Sequence, residues 1–136
     1  MDKLTPKRRS DNMRAIRSKD TSPEMAVRRL IHSLGYRYRL HGSKLPGKPD
    51  LVFAGRKKAI FIHGCFWHLH AGCREGRIPD SRRSYWKPKL EGNRARDARN
   101  RRALRRLGWS VLVIWECQIA REETLRSRIV EFLGPA

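Results

Sequence analysis

The stretch Asp50-Leu51-Val52-Phe53-Ala54-Gly55-Arg56-Lys57-Lys58-Ala59-Ile60-Phe61-Ile62-His63 decides the fold. Two apolar runs flank a turn over residues 54–57, which reads as a β-hairpin. A tight turn at Gly55-Arg56 sets Asp50 across from residues 61–63, so an acidic side chain faces the backbone of Ile62 and the imidazole of His63. The second run is continuously apolar, and so is Trp109 to Trp115, as strands in a sheet interior are. Between them, residues 86–107 read as a basic helix that Gly108 ends. Strand, helix and strand form a βαβ unit, whose right-handed crossover makes the two strands parallel. A parallel pair joined to an antiparallel hairpin predicts a mixed central sheet flanked by helices, an α/β fold.

Outward from this centre, Thr21-Ser22-Pro23-Glu24 opens a helix with a hydroxyl cap, a proline at the first helical position and an acid in the first turn. Val27, Leu30, Ile31 and Leu34 follow at helical spacing, and Gly35 stops it. Tyr36 to Leu40 alternates apolar and basic, a half-buried strand. Leu125, Ile129, Phe132 and Leu133 mark a last amphipathic helix. The expected order is α-β-β-β-α-β-α in one domain, residues 21–136, behind a basic arm, residues 1–20, with a short helix around Met13–Ile16.

The 136 residues carry 32 Lys+Arg against 13 Asp+Glu, a net charge of +19. Self-repulsion on that scale weakens a small compact state and calls for a polyanionic partner, nucleic acid first. The charge concentrates in residues 1–19 and 87–107. A solvated basic surface accounts for many single arginines, but less well for the total. No apolar run is long enough for a membrane span, and MDKLTPKRRSDNM has no apolar core for a secretory leader. A reducing, cytoplasmic setting is expected, in which clustered cysteines bind metal more often than they form disulfides.

Cys65, His70 and Cys73 are spaced Cys-x4-His-x2-Cys, with Cys117 far off in the chain. Cys65 and Cys117 each lie just past the carboxyl end of an apolar strand. If those strands are parallel neighbours, three thiolates and one imidazole converge in a closed tetrahedral zinc site with a structural role. The plainer reading makes Cys117 a small buried residue and Cys73 a free thiol.

Asp50 with the main-chain carbonyl of Ile62 is a hard oxygen site suited to Mg²⁺. A neutral His68 nearby could take a proton from water, and His63 could act at the phosphate. Glu24 could orient one of these groups. Taken singly, Asp50 also reads as a turn residue, His63 as a strand-end residue and Glu24 as a helix-start acid. Phe66, Trp67 and Trp86 are bulky aromatics beside the metal-braced loop and the basic helix, either wedges between base steps or core. Trp109 and Trp115 read as core.

Together these residues resemble the very-short-patch mismatch-repair endonucleases of bacteria. The resemblance is carried by Asn12-Met13-Arg14-Ala15-Ile16, Leu45-Pro46-Gly47-Lys48-Pro49-Asp50, His63-Gly64-Cys65-Phe66-Trp67-His68, and Leu107-Gly108-Trp109 leading to Trp115-Glu116-Cys117. It implies a restriction-endonuclease-like fold and a strand-specific nick 5′ to the thymine of a T:G mismatch left by 5-methylcytosine deamination. It also implies Asp50 as the metal-binding acid, His68 as general base, His63 at the phosphate and Glu24 in support. Cys65, His70, Cys73 and Cys117 would hold zinc, Phe66, Trp67 and Trp86 would form the wedge, and the arm with Met13 and Arg14 would close over duplex DNA. Better-known members carry Thr where this chain has Ile62, a change that a main-chain contact tolerates. The Glu-x-Lys half of the usual nuclease motif is absent. A monomer is expected. Two other readings remain: a related restriction or defence nuclease without mismatch specificity, and a non-catalytic zinc-containing DNA-binding module.

Overall fold

The computed structural model describes residues 21–136; the arm expected over residues 1–20, with Met13 and Arg14, lies outside the described residues. Helix α1 spans Ser22–Ser33, after Thr21, whose hydroxyl accepts from the Glu24 amide. The helix thus opens one residue earlier than the proline implies. Val27, Leu30 and Ile31 are buried, and Gly35, at φ +90, lets the chain turn away where a side chain would be strained.

The expected strand over residues 36–40 is shorter: β1 is Arg39–Leu40 alone. Tyr36 is buried and Tyr38 half-buried, as the alternation implies, but side chains rather than a ladder hold them. The Tyr36 hydroxyl bonds the Gly134 carbonyl, and the Tyr38 hydroxyl the Arg28 carbonyl.

Strands β2 (Leu51–Phe53) and β3 (Lys58–His63) form the hairpin, with Leu51 opposite Ile60 and Phe53 opposite Lys58. The connection is a 3₁₀ turn, Ala54–Arg56, closed by Lys57 in the left-handed region, rather than a two-residue turn. Helix α2 spans Arg83–Arg106, beginning three residues before the expected 86 and carrying Pro88 inside it. Strand β4, Ser110–Trp115, runs parallel to β3, with Ile62 opposite Ile114 and His63 opposite Trp115. A 3₁₀ turn, Glu116–Gln118, leads to α3, Glu122–Leu133. The sheet order is β1-β2-β3-β4, antiparallel except for the last pair.

The main core joins Val27, Leu30 and Ile31 of α1, and Leu125, Ile129 and Leu133 of α3, to Leu51, Phe53, Ile60 and Ile114 of the sheet. Each such aliphatic side chain contributes about 1.5–3 kcal/mol when fully buried. Val52, Ala59 and Phe61 project from the opposite pleat, and Leu90 and Leu104 of α2 lie outside the first cluster as well. α2 therefore covers the second face. Trp109 and Trp115 are half-buried and outside the main core, a correction to the expectation that both fill it. No helix among the described residues is long and apolar enough to cross a membrane.

Candidate active site and metal centre

The parallel pairing of β3 and β4 brings their carboxyl ends to one edge of the sheet, and both candidate sites grow from that edge. β3 ends at His63 and passes directly into Cys65, while β4 ends at Trp115 and passes into Cys117.

Asp50 stands one residue before β2, and its Oδ2 accepts the Ile62 amide proton at 2.7 Å. The hairpin register thus puts the acid where the turn implied, though the observed link runs through the Ile62 N–H rather than its carbonyl. Burial pushes the Asp50 carboxyl up to about 6; the Ile62 bond opposes this, and the negative Glu24 adds to it. Glu24 is only 3% exposed. Its Oε2 meets Arg28 Nη1 at 3.3 Å and His41 Nε2 at 3.0 Å. A buried and a half-buried carboxylate side by side are a hard-oxygen pair whose mutual repulsion a divalent cation would relieve, so this donor set fits Mg²⁺.

His63 is buried, and its ring lies 3.9 Å from that of His68 with 6° between the planes. Burial, then the neighbouring His68, lowers the His63 pKa to about 3, so it is neutral near pH 7. Its Nδ1 is buried with no hydrogen-bond partner among the described residues. His68 Nδ1 meets Asp97 Oδ2 at 2.5 Å. His63, His68 and Asp97 lie close enough together to suggest a second metal site. The stacking argues otherwise. A metal must lie in the ring plane of each imidazole about 2.0–2.1 Å from nitrogen, and no point lies in two parallel planes that far apart. The trio is better suited to moving protons. Asp97 accepts a hydrogen bond from Nδ1–H, which leaves Nε2 of His68 as the basic nitrogen.

Asp97 was missed from sequence, where it is one of two acids in a run of arginines on α2. An isolated acid in a basic helix was the only signal. His41 was likewise given no role from sequence, though it lies in a loop as expected.

At the second site, Cys65, His70, Cys73 and Cys117 offer ligand atoms that all lie within 4.8 Å of one another. His70 Nδ1 is 3.5 Å from Cys117 Sγ. Successive turns shape the loop: the His70 amide bonds the Cys65 carbonyl, the Cys73 amide the His70 carbonyl, and the Gly76 amide the Cys73 carbonyl. A Cβ at Gly76 would fall 2.2 Å from the His70 carbonyl oxygen, so only glycine fits. Burial pushes the Cys65 thiol up to about 12, a backbone hydrogen bond from Glu75 lowers that of Cys73, and burial lowers His70. Three soft sulfurs and a neutral imidazole, closed on themselves, suit Zn²⁺.

Trp115 lies between the two sites. It stacks on His70 at 4.1 Å and sets its ring against that of His63 at 5.2 Å.

The catalytic candidates share one open cleft of about 980 Å³, lined by Glu24, Asp50, His63, His68 and Asp97. Trp67 stands at this cleft, and Phe66, Trp67 and Trp86 form a triangle of edge-to-face rings 5.0, 5.3 and 5.8 Å apart. All three are half-buried. The early start of α2 brings Trp86 to this group and leaves Tyr85 beside it, 49% exposed.

Comparison with known proteins gives a consistent result. Residues 1–74 match the family described as DNA mismatch endonuclease Vsr. The chain is 52% identical to the Type II nicking enzyme V.XorIIP of Xanthomonas oryzae pv. oryzae, over 99% of this chain and 98% of that protein. It is 40% identical to the Type II nicking enzyme V.NmeAIP of Neisseria meningitidis, over 94% of this chain and 91% of that one. It is 41% identical to the DNA mismatch endonuclease Vsr of Escherichia coli K12, over 86% of this chain and 74% of that one.

Proposed function

The chain belongs to the Vsr family of DNA mismatch endonucleases, and from that premise we propose that it nicks one strand of DNA 5′ to the thymine of a T:G mismatch by Mg²⁺-dependent hydrolysis. Such mismatches arise when 5-methylcytosine deaminates, and the nick would start very-short-patch repair. The observation that carries this reading is the meeting of the Glu24–Asp50 carboxylates and the His68–Asp97 pair in one aromatic-rimmed cleft.

Asp50 and the Ile62 carbonyl would hold Mg²⁺, with Glu24 in support. When bound, the ion offsets charge on the phosphate and makes water more acidic. His68, oriented by Asp97, accepts the proton of the attacking water at Nε2. Neutral His63 donates to the phosphate without adding a buried charge. Phe66, Trp67 and Trp86 wedge between base steps beside the mispair, where unstacking costs least. Cys65, His70, Cys73 and Cys117 would hold Zn²⁺, and their task is to brace the loop that carries Phe66, Trp67 and His68. Residues 1–20, with Met13 and Arg14, close over the duplex. The sheet belongs to the restriction-endonuclease class, and the protein works as a monomer in the bacterial cytoplasm.

A nicking assay on T:G and T:A duplexes, with Mg²⁺ or with chelator, tests this. Expected is a nick 5′ to the mispaired thymine, only with Mg²⁺. Equal cutting of both duplexes would favour a restriction or defence nuclease instead, and binding without cutting a DNA-binding module.

A further inference from the structure

His41 is bonded to two of the acidic residues of the cleft, to the main chain of Asp50 and to the side chain of Glu24. Its backbone N–H donates to the Asp50 carbonyl at 2.9 Å, and the next amide, Gly42, donates to the Pro49 carbonyl at 2.9 Å. Its side-chain Nε2 contacts Glu24 Oε2 at 3.0 Å. To do both, His41 takes φ +50, a left-handed conformation that non-glycine residues seldom adopt and that concentrates at functional sites. Arg28 reaches the same Glu24 oxygen from one turn along α1, so its contact moves with the helix. The His41 contact crosses from the helix to the segment that pairs with Asp50. Both contacts fall on Oε2 and leave Oε1 unclaimed by either.

We propose that His41 is a positioning residue that holds the Glu24 carboxylate in register with Asp50 and so sets the affinity of the nuclease centre for its divalent cation. This rests on the reading of Glu24 and Asp50 as the cation-binding acids. In this role His41 acts through Glu24 rather than as a ligand of the cation. A group that orients ligands in this way typically changes metal affinity or activity by about 10–100-fold when removed.

The test compares wild type with His41→Ala, His41→Gln and His41→Asn in the full chain. Mn²⁺ binding is measured by calorimetry, the Mg²⁺ concentration for half-maximal nicking by assay, and KM for DNA and thermal stability alongside. The Gln amide nitrogen reaches the place of Nε2, whereas that of Asn reaches only the place of Nδ1. Expected are Mn²⁺ dissociation and Mg²⁺ half-activation constants raised about 10-fold in the Ala and Asn variants. His41→Gln should restore both to within about twofold, with KM for DNA unchanged throughout. Variants indistinguishable from wild type in cation binding, or Ala, Asn and Gln equally impaired, would overturn the proposal. Should the Ala variant fail to fold, the contrast between Gln and Asn decides. A wild type that nicks without any divalent cation would instead overturn the parent reading, a pattern distinct from a cation-dependent wild type with unaffected variants.

Discussion

Two clusters share the carboxyl edge of β3 and β4, and they are built in opposite ways. The Cys65, His70, Cys73 and Cys117 cluster draws three of its four members from one nine-residue loop, and its soft donors face one another. The centre around Asp50 and His68 draws Glu24 from α1, Asp50 from the lead into β2, His63 from the end of β3, His68 from the loop and Asp97 from α2. The first is closed and suits bracing. The second is open to the cleft and suits chemistry, since its donors leave room for a substrate. Trp115 packs against a member of each, His70 in the first and His63 in the second, so one ring touches both clusters.

The contrast is broken most sharply at Asp50. Asp50→Asn should reduce nicking on the order of 10³-fold, while the dissociation constant for DNA stays within a few-fold. Retained turnover would remove Asp50 from the mechanism. Cys117→Ser should act the other way, on the fold first. A melting temperature lower by on the order of 10 °C is expected, with zinc content falling from one per chain, read by calorimetry and metal analysis. An unchanged melting temperature would deny the cluster its bracing role.

Asp97→Asn should lower kcat by on the order of 10²-fold through loss of the correct His68 tautomer, with the Mg²⁺ half-activation constant unmoved. A shift in that constant would instead join Asp97 to the cation site. Phe66→Ala and Trp67→Ala should each narrow the preference for T:G over T:A by about 10-fold, since wedges act through the cost of unstacking. Equal losses on both duplexes would make them packing residues.

The smallest effect is a slope. Without divalent cation, the folded state holds the Asp50 proton more tightly than the unfolded chain. Stability should therefore fall as pH rises from the ordinary value of 3.8 to about 6, and level off above. Asp50→Asn should flatten that part of a denaturation series. Added Mg²⁺ should reverse the slope, because it binds the ionised carboxylate.

The hairpin was readable because it is local. Two apolar runs and a short turn leave few registers, and side-chain alternation fixes which face Asp50 meets. The cysteine cluster was readable through the βαβ rule, which sets the carboxyl ends of β3 and β4 side by side however long the crossover. The start of α2 was misjudged because Arg82 offers no side-chain cap to mark it. The length of β1 was misjudged because Tyr36 and Tyr38 alternate like a strand while bonding to carbonyls of Gly134 and Arg28. Trp115 was misread because its apolar neighbours in β4 suggest core, yet it is the last residue of the strand, where the sheet gives way to the two clusters.

By itself, then, the order of residues determined the mixed sheet, the hairpin register that turns Asp50 toward Ile62, the basic character and the family. Tertiary packing alone decided that Asp97 meets His68 across 29 residues and that His41 meets Glu24 across 17. Pairing in a strand is set by covalent spacing. The partner of a helical or loop side chain depends on how far each helix is rotated and where it docks, and that is settled only when the core on both faces of the sheet closes.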